Sequence, residues 1–416
     1  MTGLARHPLF WWILLAGMAL RILWALAVPV IPVSDSAAYD QFARNIAEHG
    51  VYGWTPDQPS AYWAVGAAAM IALTYLFTDG YGGVVILNLI AGLIIIVLTP
   101  VLTARWLGPR HALWAMALVA FWPNLIVFTT ILSSELFFIA AMLGGLWFWQ
   151  RPAGHPMTNL ITAALIWGLT AYIRPVILLV PVTLALVDLL RGPRRFLTTA
   201  AEAAIAILVI LLVAMPWTLR NQHVLGHPVM ISTNFGPNLW MGNNPDSNGG
   251  YMPLPPEIEG MSEIARSEYL KDRAKAFIRD NPGHAARLLG QKLVKLNSRE
   301  TIGVVWNEAA LTPLIGGTGV TGLKLIATGY WYLLLGGGLA GIVILCRRGG
   351  LGAGFFNPPV ALWGYFTSLH MVVVAEDRYH MPSSPFIAML AAVTPAAIWA
   401  RTRASDKAPT AQGTTT

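Results

Sequence analysis

The chain has 416 residues, of which 11% are charged and 56% hydrophobic, with 27 Lys and Arg against 20 Asp and Glu for a net charge of +7. A soluble globular domain carries roughly 25% charged residues, so these proportions exclude a cytosolic globular protein, a disordered chain and a disulfide-built secreted domain. The single cysteine, Cys346, cannot form an internal bridge. An integral membrane protein remains.

A helix needs about 20 apolar residues to cross a hydrocarbon core of ~30 Å. In chain order such segments fall near 8–30, 84–104, 112–130, 134–150, 157–173, 175–190, 202–219, 325–346, 359–375 and 385–400. The first lacks a small-residue cleavage site and reads as an uncleaved anchor. The predicted fold class is an all-α polytopic membrane protein with about ten transmembrane helices.

Lys and Arg in short loops set the orientation. Arg6, Arg105, Arg110, Arg151, Arg191, Arg194, Arg195, Arg347, Arg348, Arg401, Arg403 and Lys407 share one side with only Asp188, Glu202 and Asp406. The positive charge is thus a positive-inside signature, not a nucleic-acid footprint, and both termini are expected in the cytoplasm of a plasma membrane, the inner membrane if bacterial. Counting 61–77 (AYWAVGAAAMIALTYLF) as an eleventh span would invert that pattern. It is therefore expected to dip into, or lie along, the outer leaflet.

The expected organisation is a membrane core over 1–219 with a first extracytoplasmic loop at 31–83. An extracytoplasmic segment follows at 220–324, then C-terminal spans over 325–403 and a disordered tail at 404–416. Within 220–324, a turn-rich STNFGPNLWMGNNPDSNGGY precedes two amphipathic helices over 261–296, divided at Pro282. Ile264, Tyr269, Ala276 and Phe277 mark the face of the first, and Leu288, Leu289 and Leu293 that of the second.

Ionisable groups in or beside spans carry the functional information, because burying them without partners costs several kcal/mol. Asp35 follows the first span, with Ser34 before it and Gly50 as the stop of a helix; an aspartate here is either a group with chemistry or an N-terminal residue favoured by the helix dipole. Asp40, five residues on, should diverge from it. Glu135 in SSELFF is the sole acid between Asp79 and Asp188; Ser133 and Ser134 offer the alternative of a simple helix start. Arg174 ends the fifth span before Pro175, and Arg21 lies in the middle of the first, where a partner inside the bundle is expected. Glu376, Asp377, Arg378 and His380 crowd one short loop, whose cations suit either a lipid-linked phosphate or interfacial anchoring. There is no GxxxxGK[ST], HExxH or CxxC motif, and the histidines lack metal spacing.

In order and spacing, these elements resemble the GT-C class of integral-membrane glycosyltransferases, nearest in look to the protein mannosyltransferase and lipid A aminoarabinose transferase branch. The resemblance runs through SDSAAYDQFARNIAEHGVYG, QPSAYWAVG, SSELFF, YIRP, PWTLRNQHVLGHPVMISTNFGPNLWMGNNP and EDRYHMPSSPF. It implies transfer of a sugar from a polyprenyl-phosphate carrier, within membrane lipid, to a protein, lipid or glycan acceptor outside the cytoplasm. By the same resemblance Asp35 is the general base and Glu135 the second acid, while Arg174, Arg378 and His380 meet the donor phosphate. Tyr39, Asp40, Trp240 and Asn243 would line the cavity. Ser36 replaces the second acid of a paired form, and Gln58-Pro59-Ser60 stands where many relatives have two prolines. Both departures weaken the case for the divalent cation that some members hold, and no cofactor is indicated. The alternatives are a polysaccharide polymerase or ligase on polyprenyl carriers, which would rely on arginines and a histidine in outer loops, and a secondary transporter or lipid flippase, which would show paired half-repeats.

Overall fold

The computed structural model describes residues 2–149, 156–192 and 195–398. The expected tail at 404–416 and the basic residues Arg151, Arg194, Arg401, Arg403 and Lys407 lie outside them. The chain is an all-α integral membrane protein. Its helices are α1 (Pro8–Ala27), α2 (Asp35–His49), α3 (Val65–Tyr75), α4 (Gly82–Trp106), α5 (Ala112–Ala120), α6 (Pro123–Val127), α7 (Glu135–Trp149), α8 (Pro156–Ala171), α9 (Val180–Arg191) and α10 (Phe196–Leu225). They continue as α11 (Phe235–Gly242), α12 (Glu263–Asp280), α13 (Pro282–Asn297), α14 (Glu308–Phe355), α15 (Pro358–Val372) and α16 (Ser384–Ala391).

Among the described residues, each of the ten apolar segments is mainly helical. Five helices among these residues are long and apolar enough to cross a bilayer, and the pair Pro109–Ala120 and Pro123–Thr130, bent by 55°, counts as a sixth if it is one broken span. The last span, Met381–Ile398, is 83% buried against 22% for α1, so it stands inside the bundle while α1 lies at its edge. α14 begins at Glu308, well before the expected 325, and leaves helical geometry at Gly316, whose φ of 67° favours glycine.

Around Asp35, Gly50 closes α2 in the left-handed conformation as expected, its N–H meeting the carbonyls of Asn45 and Ile46. Gly53–Thr55 and Gln58–Pro59 then pair as a small antiparallel hairpin, β1 and β2, which the sequence did not suggest. α3 has 11 residues. At 1.5 Å per residue it is about 16 Å long, too short to cross the bilayer. It packs on α2 and reaches the α8 end through Gly66, whose N–H donates to the Tyr172 carbonyl. A Cβ at Gly66 would come within 2.8 Å of Ile173 N, so only glycine permits this approach.

Arg21 is 1% exposed, and its partner is main chain, not an acid. Its Nη1 donates to Gly17 O at 2.9 Å and Ala120 O at 2.7 Å, and Nη2 to Val119 O at 3.1 Å. Those last two carbonyls are the open C-terminal end of α5, where a cation is favoured and no water is available to substitute. Asn88 serves the far end of the bend, donating to Thr129 O and Ile131 O at 3.0 Å each. Asn307 holds Val127 O at 3.1 Å. The broken span is thus stitched at both ends, which fixes where Ser134 and Glu135 emerge.

Two amphipathic helices flank Pro282 as expected, but α13 turns Leu288, Lys292 and Leu296 inward and leaves Leu289 and Leu293 exposed. Lys292 Nζ donates to Asn243 Oδ1 at 2.8 Å and Val372 O at 3.2 Å, tying α13 to the end of α15.

Candidate active site

One cavity of about 170 Å³ gathers residues from distant parts of the chain at the end of the bundle that carries α2. Asp35, Tyr39, Ser134, Arg174, Arg378 and His370 are among those lining it. Asp35 is the first residue of α2. It is delivered by Ser34, which at φ 52° and ψ −128° is the one non-glycine residue with positive φ among the described residues. Ser34 occupies the N-cap position without a side-chain capping bond. Strain of this kind concentrates at functional positions.

Arg378 Nη2 bonds Asp35 Oδ2, and its Nη1 stands 3.8 Å from Glu135 Oε1. Arg174 Nη2 bonds the same Glu135 oxygen, while its Nε donates to Ser134 Oγ at 2.8 Å. Two carboxylates and two guanidinium groups therefore alternate in one ion-pair chain, of which Asp35, Arg174 and Arg378 line the cavity. Glu135 is 1% exposed, and its second oxygen, Oε2, has no partner. Arg378 is held from behind by the Trp306 ring, 4.5 Å from its guanidinium carbon, a cation–π contact. Tyr39 sends its hydroxyl to Ser134 Oγ at 3.4 Å. Burial pushes its phenol up to about 12, so it remains a neutral donor.

Beside this cavity lies a groove of about 1,020 Å³ between α3, α4, α7 and α8, lined almost wholly by apolar side chains such as Met70, Ile94, Phe137 and Ile166. Ile173 borders both spaces.

Asp40, Trp240, Asn243 and His380 are not at the cavity. Asp40 faces away from Asp35, as five-residue spacing on a helix requires, and accepts from Tyr75 at 2.6 Å and Tyr81 at 3.0 Å with Arg44 beside it. Trp240 packs against α12, with the Arg273 guanidinium 4.6 Å over its ring. Asn243 is bound to Lys292 and Val372, and from the same string it is Asn234 and Asn238 that reach the cavity.

His380 points to the opposite side of its loop. Its ring stacks on Trp331 at 3.9 Å, Nδ1 meets Leu296 O at 2.9 Å, and Nε2 meets Glu300 Oε1 at 3.0 Å. Trp122 Nε1 donates to both Glu300 oxygens, at 3.0 and 2.8 Å. Burial pushes the Glu300 carboxyl up, and the His380 and Trp122 bonds oppose that shift. This closed cluster anchors the loop that carries Arg378. Glu300→Ala leaves buried donors without their acceptor and is expected to destabilise the protein by about 3–5 kcal/mol. Thermal unfolding in detergent checks this, and an unchanged midpoint would deny the cluster its anchoring role.

Among the described residues, no three His, Cys, Asp or Glu side chains gather as a metal ion would require. Arg378 also stands against both Asp35 and Glu135. The residues present do not fit a bound cation.

The fold is shared with solved proteins. Over 98% of its length the chain superposes on the archaeal oligosaccharyltransferase AglB from Archaeoglobus fulgidus, solved in complex with an inhibitory peptide and a dolichol-phosphate, with a TM-score of 0.57 at 15% identity. The apo form of the same protein also gives a TM-score of 0.57, at 12% identity. A looser likeness, at a TM-score of 0.47 and 15% identity over 96% of this chain and 81% of the other, is to ArnT from Cupriavidus metallidurans bound to undecaprenyl phosphate. The chain spans about half the length of AglB, 52% in both structures, and covers 98% of itself in each. No family model and no curated protein sequence matches it.

Proposed function

We propose that this protein moves a sugar from a polyprenyl-phosphate carrier to an acceptor on the extracytoplasmic side of the membrane, with inversion at the anomeric carbon. The observation that carries this reading is the meeting of Asp35, Arg174 and Arg378 in one cavity adjoining an apolar groove, with the buried Glu135 ion-paired to the arginines. The groove takes the first isoprene units of the carrier, and the cavity takes the phosphate and sugar.

In the reaction the acceptor oxygen forms a bond to the anomeric carbon as the bond from that carbon to the phosphate oxygen breaks. The electron pair leaves with the phosphate, whose charge goes from one negative to two. The acceptor proton passes to the Asp35 carboxylate. Arg174 and Arg378 stabilise the charge that develops on the phosphate, in surroundings of low dielectric where such donors are most effective. Glu135 holds Arg174 in place. The incoming phosphate competes with Asp35 for Arg378, so the carboxylate is released to the acceptor hydroxyl only when the donor is bound. Positive-inside orientation places the cavity outward, with the termini in the cytoplasm.

Deletion of the gene tests this directly. Mass spectrometry of surface glycans, glycolipids and glycoproteins is expected to show the loss of one sugar from one class. Identical profiles with and without the gene would overturn the reading.

A further inference from the structure

His370 is a titratable cavity residue for which neither the sequence nor the reaction above has a use. It sits near the end of α15, is 8% exposed, and borders the same cavity as Arg174 and Arg378. Both of its ring nitrogens are buried without a hydrogen-bond partner. The Val374 carbonyl approaches the ring without meeting hydrogen-bond geometry. The ring itself is fixed, stacked on Tyr379 at 4.7 Å and 19°. Buried polar atoms are nearly always paired, and leaving them unpaired costs free energy that something in the working protein must recover.

The surroundings say what kind of group would recover it. A neutral imidazole has one N–H donor and one acceptor. The charged groups that share the cavity with it are the guanidinium groups of Arg174 and Arg378, paired with Glu135 and Asp35, and the Asp35 carboxylate, which Arg378 holds. A cationic ligand would be repelled by both arginines. An anion would draw donors from both and find a third in the imidazole. Asp35 and Glu135 balance the two guanidinium groups in the absence of ligand. An arriving phosphate adds negative charge, and the transfer step adds one more unit to it, so a further donor is required on that face.

We infer that His370 is a direct phosphate-binding residue, donating an N–H to the phosphate of the polyprenyl carrier together with Arg174 and Arg378. This rests on the proposed function and deepens it: the histidine at the phosphate is His370 in the span, not His380 in the loop.

The test uses the full chain in nanodiscs, a C55 polyprenyl monophosphate, and the corresponding polyprenol as the ligand without phosphate. His370→Phe keeps the aromatic stack and loses no internal hydrogen bond, so thermal stability should hold. Its affinity for the monophosphate should fall about tenfold, the loss expected for a hydrogen bond to a charged group, with polyprenol binding unchanged. His370→Gln, which restores an N–H donor, should recover part of the loss. A wild-type preference for the phosphate that survives intact in His370→Phe overturns the inference alone. A wild-type protein that binds monophosphate and polyprenol alike overturns the donor reading and the inference with it. Should His370→Phe unfold, the comparison of His370→Gln with wild type decides the matter, equal phosphate loss in a folded His370→Ala and His370→Gln counting against a donated N–H.

Discussion

Asp35→Asn is expected to lower turnover by about 10²–10⁴-fold while the protein still binds its lipid donor. Asparagine keeps the shape of the side chain and an oxygen for Arg378, but it cannot take a proton from the acceptor hydroxyl. The cost to folding is small, since Asp35 is 30% exposed in its side chain and begins α2, where loss of a favourable helix-dipole contact is worth about 0.3–1 kcal/mol. Asp40→Asn is the control. Asp40 lies on another face of the same helix, among Tyr75, Tyr81 and Arg44, outside the cavity. Its replacement should shift stability and leave turnover near the wild-type value. The measurement is single-turnover transfer from a polyprenyl-phosphate sugar in reconstituted vesicles, with donor retention followed separately. Unchanged transfer by Asp35→Asn would remove this carboxylate from the mechanism, and equal losses in the two variants would make the effect one of helix integrity.

Much of this was open to reading because bilayers constrain sequence so severely. Ten apolar stretches are largely helical among the described residues, and the exclusion of 61–77 as a span followed from loop charge and modest length and agrees with the short α3. Asp35, Glu135, Arg174 and Arg378 stood out because an ionisable group near lipid needs a reason, and they do converge. What stayed hidden depends on direction rather than placement. His380 and Arg378 are two residues apart on a turn, and only coordinates show that one side chain faces Glu135 while the other faces Glu300. The same applies to Asn243 against Asn238, which a short helix turns to different sides. Arg21 had been expected to find a partner in the bundle; no sequence pattern indicates that the partner is a broken helix end. His370 had a signal that was there to be used, being a histidine inside the apolar run YFTSLHMVVV.

Arg378→Lys is expected to cost about 10²–10³-fold in turnover, the range seen when one preorganised donor to a developing negative charge is removed. Charge is conserved in this change, so the loss has to come from geometry. The guanidinium addresses Asp35 through Nη2 and Glu135 through Nη1, and its carbon lies 4.5 Å from the centre of the Trp306 ring. A lysine ammonium is a single point with strong hydration and can satisfy neither the fork nor the stack. Arg174 meets the same Glu135 oxygen, so the two arginines share one carboxylate and their effects should not add. In a double-mutant cycle with Arg174→Lys, the coupling should be about 0.5–3 kcal/mol, as for residues in one ion-pair network. Strict additivity would mean that the arginines act on separate groups, and the single shared phosphate site would have to be abandoned. Wild-type turnover in Arg378→Lys would show that charge alone suffices, and the alternating carboxylate–guanidinium geometry would then have no part in the chemistry.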